Sequence, residues 1–281
     1  MALGLAYLSA CSQLPVQPNL ISNKKPRLGL ALGGGAARGF AHVGVIQVLE
    51  ESGIKPDLVV GTSAGSLVAA LYASGKTPAE LTQVSQTMEE ATFTDWQLPG
   101  LSRGLIKGEA LARYVNGQVR NQTIDKMPIP LGIVATDLRT GDPILFRRGD
   151  TGMGVRASSA VPAVFQPVSI AGHEYVDGGL VSPVPVRFAK EMGAEVIVAV
   201  DISSPPEGAP TDGTLQILMQ TFSIMGKSIN YFELQGADVV VRPALQGVAS
   251  SDFGARARSI QAGRVAMLAA LPALKAKLKM P

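Results

Sequence analysis

Five residues, G-T-S-A-G at 61–65, stand at the seam between an apolar, β-rich run (Leu58, Val59, Val60) and a helix-like run of small and apolar residues from Ala64 to Ala73. A seam this tight admits few architectures. A short buried strand that turns at once into a helix is the unit of a parallel sheet with right-handed crossovers. The same unit stands just upstream: the strand "RLGLAL", the loop Gly33–Gly39 ("GGGAARG") and the helix "FAHVGVIQVLEESG", stopped at Gly53. Ser63 falls between two glycines. A nucleophile on a sharp strand-to-helix elbow needs small neighbours, and Gly61 and Gly65 meet that need. The plainer alternative is a helix cap from Thr62 or Ser63, although a cap does not require glycine on both sides.

The rest of the chain continues the pattern. Pro78 opens a helix, "PAELTQVSQTMEE". Ala91 to Lys107 reads as a loop carrying Phe93, Trp96, Leu98, Leu101, Leu105 and Ile106, either packed on its own domain or forming a lid or lipid-facing rim. The strands "IPLGIVATDL" and "PILFRR" follow, then a short helix, "GVRASSAVPAVF", stopped by Pro162. "PVSI" and "EYVD" flank "AGH" as a hairpin. A helix "VPVRFAKEMGA" and a parallel-type strand "EVIVAVDI" come next. After the loop Pro205–Gly213, the pattern predicts a helix from Thr214 to Phe232, a strand "DVVVRP" and a last helix from Ala255 to Leu271. The expected class is α/β, with a mainly parallel central sheet flanked by helices. At 281 residues the chain fits one large domain or two small ones, and no repeat or second-domain boundary is visible.

Gly33, Gly34 and Gly35 let backbone N–H groups approach an anion at a helix start, which suits a phosphate or a developing oxyanion alike. A dinucleotide loop fits poorly, because Arg38 stands where G-x-G-x-x-G ends in glycine, and no G-K-[ST] follows for ATP. A serine nucleophile needs a base. His42 lies within the first helix and His173 at a hairpin tip, so neither is placed as an elbow partner. Asp177 leaves a strand and meets Gly178-Gly179, which clears space around a carboxylate but also reads as an ordinary turn. The formal net charge is +3, and no Lys/Arg block with interleaved aromatics supports nucleic-acid binding. One cysteine and two histidines exclude an intrachain disulfide and a Cys-based zinc site, and no ligand pattern for another metal is visible.

Taken in order, "GGGAARG", "GTSAG" and "DGG" resemble the patatin-like phospholipase family, in its bacterial branch similar to the neuropathy target esterase catalytic domain. The resemblance spans about 27–201. It implies a three-layer fold and a Ser-Asp dyad without a catalytic histidine, metal or other cofactor. By position it makes Ser63 the nucleophile, Asp177 the base, the Gly34 and Gly35 N–H groups the oxyanion hole and Arg38 the residue that orders the loop. Ala36 stands where the family usually has another glycine, and Ser182 where it often has asparagine after the D-G-G turn. The implied division is a hydrolase domain over 27–281, with core motifs in 27–201 and an extension over 202–281. The implied reaction is hydrolysis of acyl esters of (phospho)lipids through an acyl-enzyme. Alternatives are a small-ester esterase or thioesterase, and a silent lipid-binding envelope lipoprotein. The sequence leaves the oligomeric state open.

The first 26 residues carry a separate expectation. After the apolar stretch Ala2–Ala10, Leu8-Ser9-Ala10-Cys11 resembles a bacterial lipobox, with Cys11 lipidated and Ser12–Pro26 a tether. Ser12 after the cysteine points to the outer membrane, facing the periplasm. No Lys or Arg precedes the apolar run, as a signal peptide requires, so a chance cysteine in a cytoplasmic protein is the alternative. The basic tail with Lys275, Lys277 and Lys279 adds either attraction to anionic lipid or a solvated helix end.

Overall fold

The structure, a computed structural model, describes residues 25–88, 95, 103–207 and 211–280. Cys11, the lipobox and nearly all of the tether lie outside the described residues, as do Phe93, Trp96, Leu98 and Leu101 of the loop read as a possible lid.

In chain order the elements begin with β1 (Leu28–Leu32), α1 (Phe40–Glu51), β2 (Leu58–Thr62), α2 (Ala64–Ala73) and α3 (Pro78–Thr87). There follow β3 (Gly104–Ile106), α4 (Glu109–Gln118), β4 (Leu131–Asp137), β5 (Pro143–Phe146), α5 (Thr151–Ser158) and β6 (Ala163–Phe165). The hairpin β7 (Val168–Ile170) and β8 (His173–Asp177) leads to α6 (Val186–Glu191), β9 (Val196–Val200), α7 (Thr214–Glu233), β10 (Val239–Val241) and α8 (Arg256–Lys277). The main sheet has the order β10-β9-β1-β2-β4-β8-β7, with β5 also on β4. From β10 to β4 all neighbours are parallel. Their near-continuous apolar runs are what a strand buried on both faces requires.

Helices cover both faces. Leu28, Leu30, Leu32, Val59, Val196, Val198 and Val200 join the core under α1, α2 and α8. Ala31, Leu58, Val60, Ile197 and Ala199 join the opposite core, where α6 supplies Val186, Phe188 and Ala189 and the next residue, Met192, closes the cluster. The expected three-layer α/β fold is therefore the one observed. The strand and helices after residue 202 are integral to it: β10 extends the sheet, and α8 crosses α1 backbone to backbone. A Cβ on Gly44 of α1 would collide with the Ile260 carbonyl, and one on Gly263 of α8 with the Ala41 carbonyl. No helix among the described residues is long and apolar enough to cross a membrane.

Four local expectations need correction. The helix read in "GVRASSAVPAVF" starts earlier, at Thr151, capped by the Asp150 carboxylate on the Met153 N–H. It ends at Ser158, and Ala163–Phe165 is instead the strand β6, paired with β3. The latter strand takes Gly104–Ile106 out of the expected loop. The helix α4 has no counterpart in the sequence reading. Asn116 and Gly117 argue against it locally, but Leu111, Ala112 and Val115 bury one face. Finally, α8 passes through Pro272 instead of stopping at Leu271. The carbonyl that loses its partner there belongs to Leu268, on an exposed turn where water can serve, and buried Leu274 and Leu278 hold the last turns.

Candidate active site

One edge of β4 determines the site. Along that edge β2 runs parallel, ending with Thr62 opposite Val134. The β8 strand arrives from the other direction, ending with Asp177 opposite Ala135. Two strands thus meet head-on at adjacent β4 residues, and the residues at their tips face each other. Ser63 Oγ donates to Asp177 Oδ2 at 2.8 Å. The second carboxylate oxygen, Oδ1, accepts the Gly179 N–H at 2.6 Å.

Ser63 has φ 53° and ψ −124°, a conformation that costs about 1–3 kcal/mol and persists only where the surroundings over-determine it. Its N–H donates to Ser158 Oγ at 2.8 Å, and that hydroxyl donates to the Val134 carbonyl of β4 at 2.5 Å. Its carbonyl accepts the Ser66 N–H and the Ser66 hydroxyl. The elbow glycines act by closeness. A Cβ on Gly61 would strike the backbone of Gly65, and one on Gly65 the carbonyls of Leu32 and Gly33. The Ser63 side chain does not cap α2, so the plain cap reading fails for this residue.

Asp177 is buried, and burial raises its carboxyl to a pKa of about 6 against the opposing pull of the Gly179 N–H and the Ser63 hydroxyl. Its own N–H donates to the Ala160 carbonyl at 3.0 Å, and its carbonyl accepts the Thr136 hydroxyl at 2.8 Å. The segment that ends α5 therefore grips both partners, Ser63 through Ser158 and Asp177 through Ala160. The sequence reading missed this pair. The only signal was the run of small residues in "RASSAVP".

The glycine loop lies beside Ser63: a Cβ placed on Gly34 would stand only 3.2 Å from the Ser63 Cβ. The expected oxyanion donors need one correction. The Gly34 N–H is already committed to the Pro183 carbonyl at 2.9 Å, as is that of Gly33 to Val200 at 3.0 Å and that of Ala37 to Ser250 at 2.9 Å. The loop N–H groups left without an acceptor among the described residues are those of Gly35 and Ala36, both in the cavity wall. Ala36 takes φ 49°, the left-handed region in which glycine is the easier residue. Arg38 is buried and donates to the Ser204 hydroxyl and the Ser203 carbonyl, each at 2.9 Å. It ties the loop to the segment after β9. Ser182 is also buried. Its hydroxyl donates to Glu233 of α7 and its carbonyl accepts the Thr62 hydroxyl, both at 2.9 Å.

Neither histidine touches the Ser63–Asp177 pair. His42 is buried, with Nε2 at 2.8 Å from the Gly33 carbonyl. Burial pushes its pKa down to about 4, so at neutral pH the ring is uncharged and Nε2–H is the donor. His173 is half exposed, with Nδ1 at 3.1 Å from Asp137, at the far end of β8 from Asp177. No cluster among the described residues could hold a metal ion.

Above the pair lies a cavity of about 1430 Å³. One side is apolar, with Phe40, Leu67, Leu71, Leu81, Val84 and Met88. The other, toward α7, carries Ser203, Ser204, Lys227, Asn230 and Arg242. The arrangement offers a hydroxyl nucleophile, an adjacent desolvated carboxylate, two free N–H donors and an apolar channel.

Comparison with known proteins gives three results. Residues 30–190 match the model of the family described as patatin-like phospholipase. An uncharacterised NTE family protein of Mycobacterium tuberculosis is 31% identical over 215 residues, 76% of this chain and 59% of that protein. Patatin-like phospholipase domain-containing protein 6 of Mus musculus is 32% identical over 188 residues, 64% of this chain and 14% of that protein. The chain thus spans about three fifths of the first relative and a seventh of the second. Among solved structures, VipD from Legionella pneumophila superposes with a TM-score of 0.60 at 14% identity, over 89% of this chain and 67% of VipD. The heterodimeric ExoU–SpcU complex of Pseudomonas aeruginosa gives 0.50 at 20% identity, over 91% of this chain and 52% of the matched one. At such identities the structural likeness speaks of fold alone.

Proposed function

The chain belongs to the patatin-like phospholipase family, and from that premise we propose that it hydrolyses acyl esters of (phospho)lipids with Ser63 as nucleophile and Asp177 as its only base. The observation that carries the reading is the 2.8 Å contact from Ser63 Oγ to Asp177 Oδ2 at the floor of a largely apolar cavity.

Each step follows from the groups present. As Ser63 Oγ bonds to the ester carbonyl carbon, its proton passes to Asp177 Oδ2. The carbonyl oxygen becomes an oxyanion and takes the Gly35 and Ala36 N–H groups, each such donor being worth roughly 10²- to 10³-fold in rate. Collapse breaks the bond to the leaving alcohol, which collects the proton from Asp177. Water then repeats the sequence on the acyl-enzyme and releases the carboxylic acid. A carboxylate of ordinary acidity is a poor base for a hydroxyl. The raised pKa of Asp177 is what supports this assignment. Because the base form is needed, kcat/KM is expected to rise with pH through about 6.

A serine-reactive fluorophosphonate probe tests the reading. The protein is expected to label, and Ser63→Ala to abolish both labelling and ester hydrolysis while the chain still folds. Labelling that survives Ser63→Ala refutes the nucleophile. Turnover of long acyl chains in preference to short ones separates a lipid substrate from a small soluble ester.

A further inference from the structure

The helix α7 buries little for its twenty residues: only Asn230 is fully buried. Its two faces differ in what they touch. Met219, Phe222, Ser223, Gly226 and Asn230 lie on one side and line the catalytic cavity. On the other side, Ile217, Thr221, Ile224, Ser228 and Tyr231 follow one another at steps of four and three, a single stripe along the helix. Met225 and Phe232 flank it. Ile217 is 55% exposed, Ile224 53%, Met225 49%, Tyr231 69% and Phe232 71%. The stripe holds no charge. The helix has only two charged residues, Lys227 paired with Glu207 and Glu233 paired with Arg187.

We propose that this outer face of α7 docks on the surface of a lipid bilayer and sets the cavity mouth against the lipid. The inference rests on the reading of the cavity as a lipid ester site. Tyr231 belongs both to the exposed stripe and to the cavity wall, so it stands at the rim where the two surfaces join. An amphiphile entering there leaves the bilayer without passing through water. Tyr231 and Phe232 form an edge-to-face pair, with centroids 5.2 Å apart, and aromatic side chains of this kind favour the water–lipid boundary. Area argues against a second copy of the chain as the occupant. Two aromatic side chains of roughly 150–250 Å² each, about seven-tenths exposed, with three aliphatic ones about half exposed, present on the order of 600 Å², short of the roughly 800 Å² per partner of a stable interface. A bilayer has no such threshold, since interfacial binding scales with the apolar area inserted.

The test uses the full chain carrying Cys11→Ser, so that no acyl group can be attached there. The triple variant Ile217→Gln, Ile224→Gln, Phe232→Gln changes the stripe and none of the cavity wall. Flotation is measured with phosphatidylcholine vesicles, with and without phosphatidylglycerol, at low and high salt. The parent protein is expected to float with both kinds at high salt, because apolar insertion is not screened. The triple variant should partition at least about tenfold less and hydrolyse vesicle phospholipid at least about tenfold more slowly. Its turnover of a water-soluble butyrate ester should stay within about twofold. Partition unchanged by the triple variant overturns the proposal, as does parent binding that salt abolishes. A parent dimer that the triple variant converts to monomer overturns it in favour of a second copy. If the parent turns over neither the soluble ester nor vesicle phospholipid, the hydrolase reading fails, while flotation still decides whether α7 meets lipid.

Discussion

Replacing Asp177 by asparagine should inactivate the protein and make it more stable. The carboxyl ionises near pH 6 in the fold and near 3.8 when solvated, chiefly because burial penalises the charge. A carboxyl with its pKa raised on folding is favoured in the fold as the neutral acid. Its contribution is complete below about pH 3.8 and is lost as the pH rises through about 6. At pH 7 the buried charge leaves the fold about 3 kcal/mol less stable than a neutral group would. Asparagine has nearly the same shape. Its Oδ1 keeps the Gly179 N–H and its Nδ2 can donate to Ser63 Oγ, so neither neighbour is orphaned. The expected gain for Asp177→Asn at pH 7 is therefore about 2–3 kcal/mol, or about 5 °C in Tm. Urea denaturation of both proteins, followed by circular dichroism from pH 3.5 to 8, measures it. Other titrating groups are common to the two and cancel in the difference. The advantage should be constant above about pH 7 and shrink steadily toward pH 4. An asparagine variant no more stable at pH 7, or an advantage independent of pH, would mean that Asp177 is not a desolvated base, and the proposed chemistry would lose its source of basicity.

Ser158→Ala leaves the Ser63 N–H without its acceptor inside a strained elbow. It should cost about 1–3 kcal/mol of stability and lower kcat by about 10- to 100-fold, while KM for a soluble ester stays within about twofold. A loss in KM alone would show that Ser158 does not position the nucleophile. Gly44→Ala drives a methyl group against the Ile260 carbonyl and the Arg264 N–H across the α1–α8 crossing. Overpacking of that kind outweighs the helix-propensity gain of about 1 kcal/mol, so Tm should fall by several degrees with turnover per folded molecule unchanged. An unchanged or higher Tm would show that the two helices can part without loss.

Much of the fold was legible because the chain marks its turns with glycine. The β1–loop–α1 and β2–elbow–α2 units follow from short apolar runs broken at Gly33–Gly35 and Gly61. Where the reading failed, a distant contact had overruled a local signal. Helix α4 contains Asn116 and Gly117, yet its buried Leu111, Ala112 and Val115 hold it. Pro272 looks like a stop, yet Leu274 and Leu278 beyond it are buried. The same limit affects the site. Ser63 stands out from its flanking glycines, and Asp177 is paired with it only through the family resemblance; their contact depends on both strands sharing one edge of β4, which no local pattern states. Which N–H groups of the glycine loop are left uncommitted was beyond reach for the same reason. Whether the Gly34 N–H is free depends on the Pro183 carbonyl, far along the chain.

The head-on meeting of β2 and β8 also explains why the proposed chemistry can do without histidine. In a triad the imidazole has two tasks: it spans the distance between hydroxyl and carboxylate, and it has a pKa close to the working pH. Here the first task disappears. Strand tips opposite Val134 and Ala135 bring the carboxylate within 2.8 Å of the hydroxyl. The second falls to burial, which moves Asp177 to about 6, near where imidazole itself titrates. His42 could not take over, because burial lowers its pKa to about 4 and so weakens it as a base, and its Nε2–H is committed to the Gly33 carbonyl. What it does instead is hold the base of the loop from which Gly35 and Ala36 present their N–H groups. A site built this way trades fold stability for basicity at a single buried carboxylate. Its activity and its stability should then respond in opposite directions to the same proton, with about pH 4 to 6 as the interval where both change.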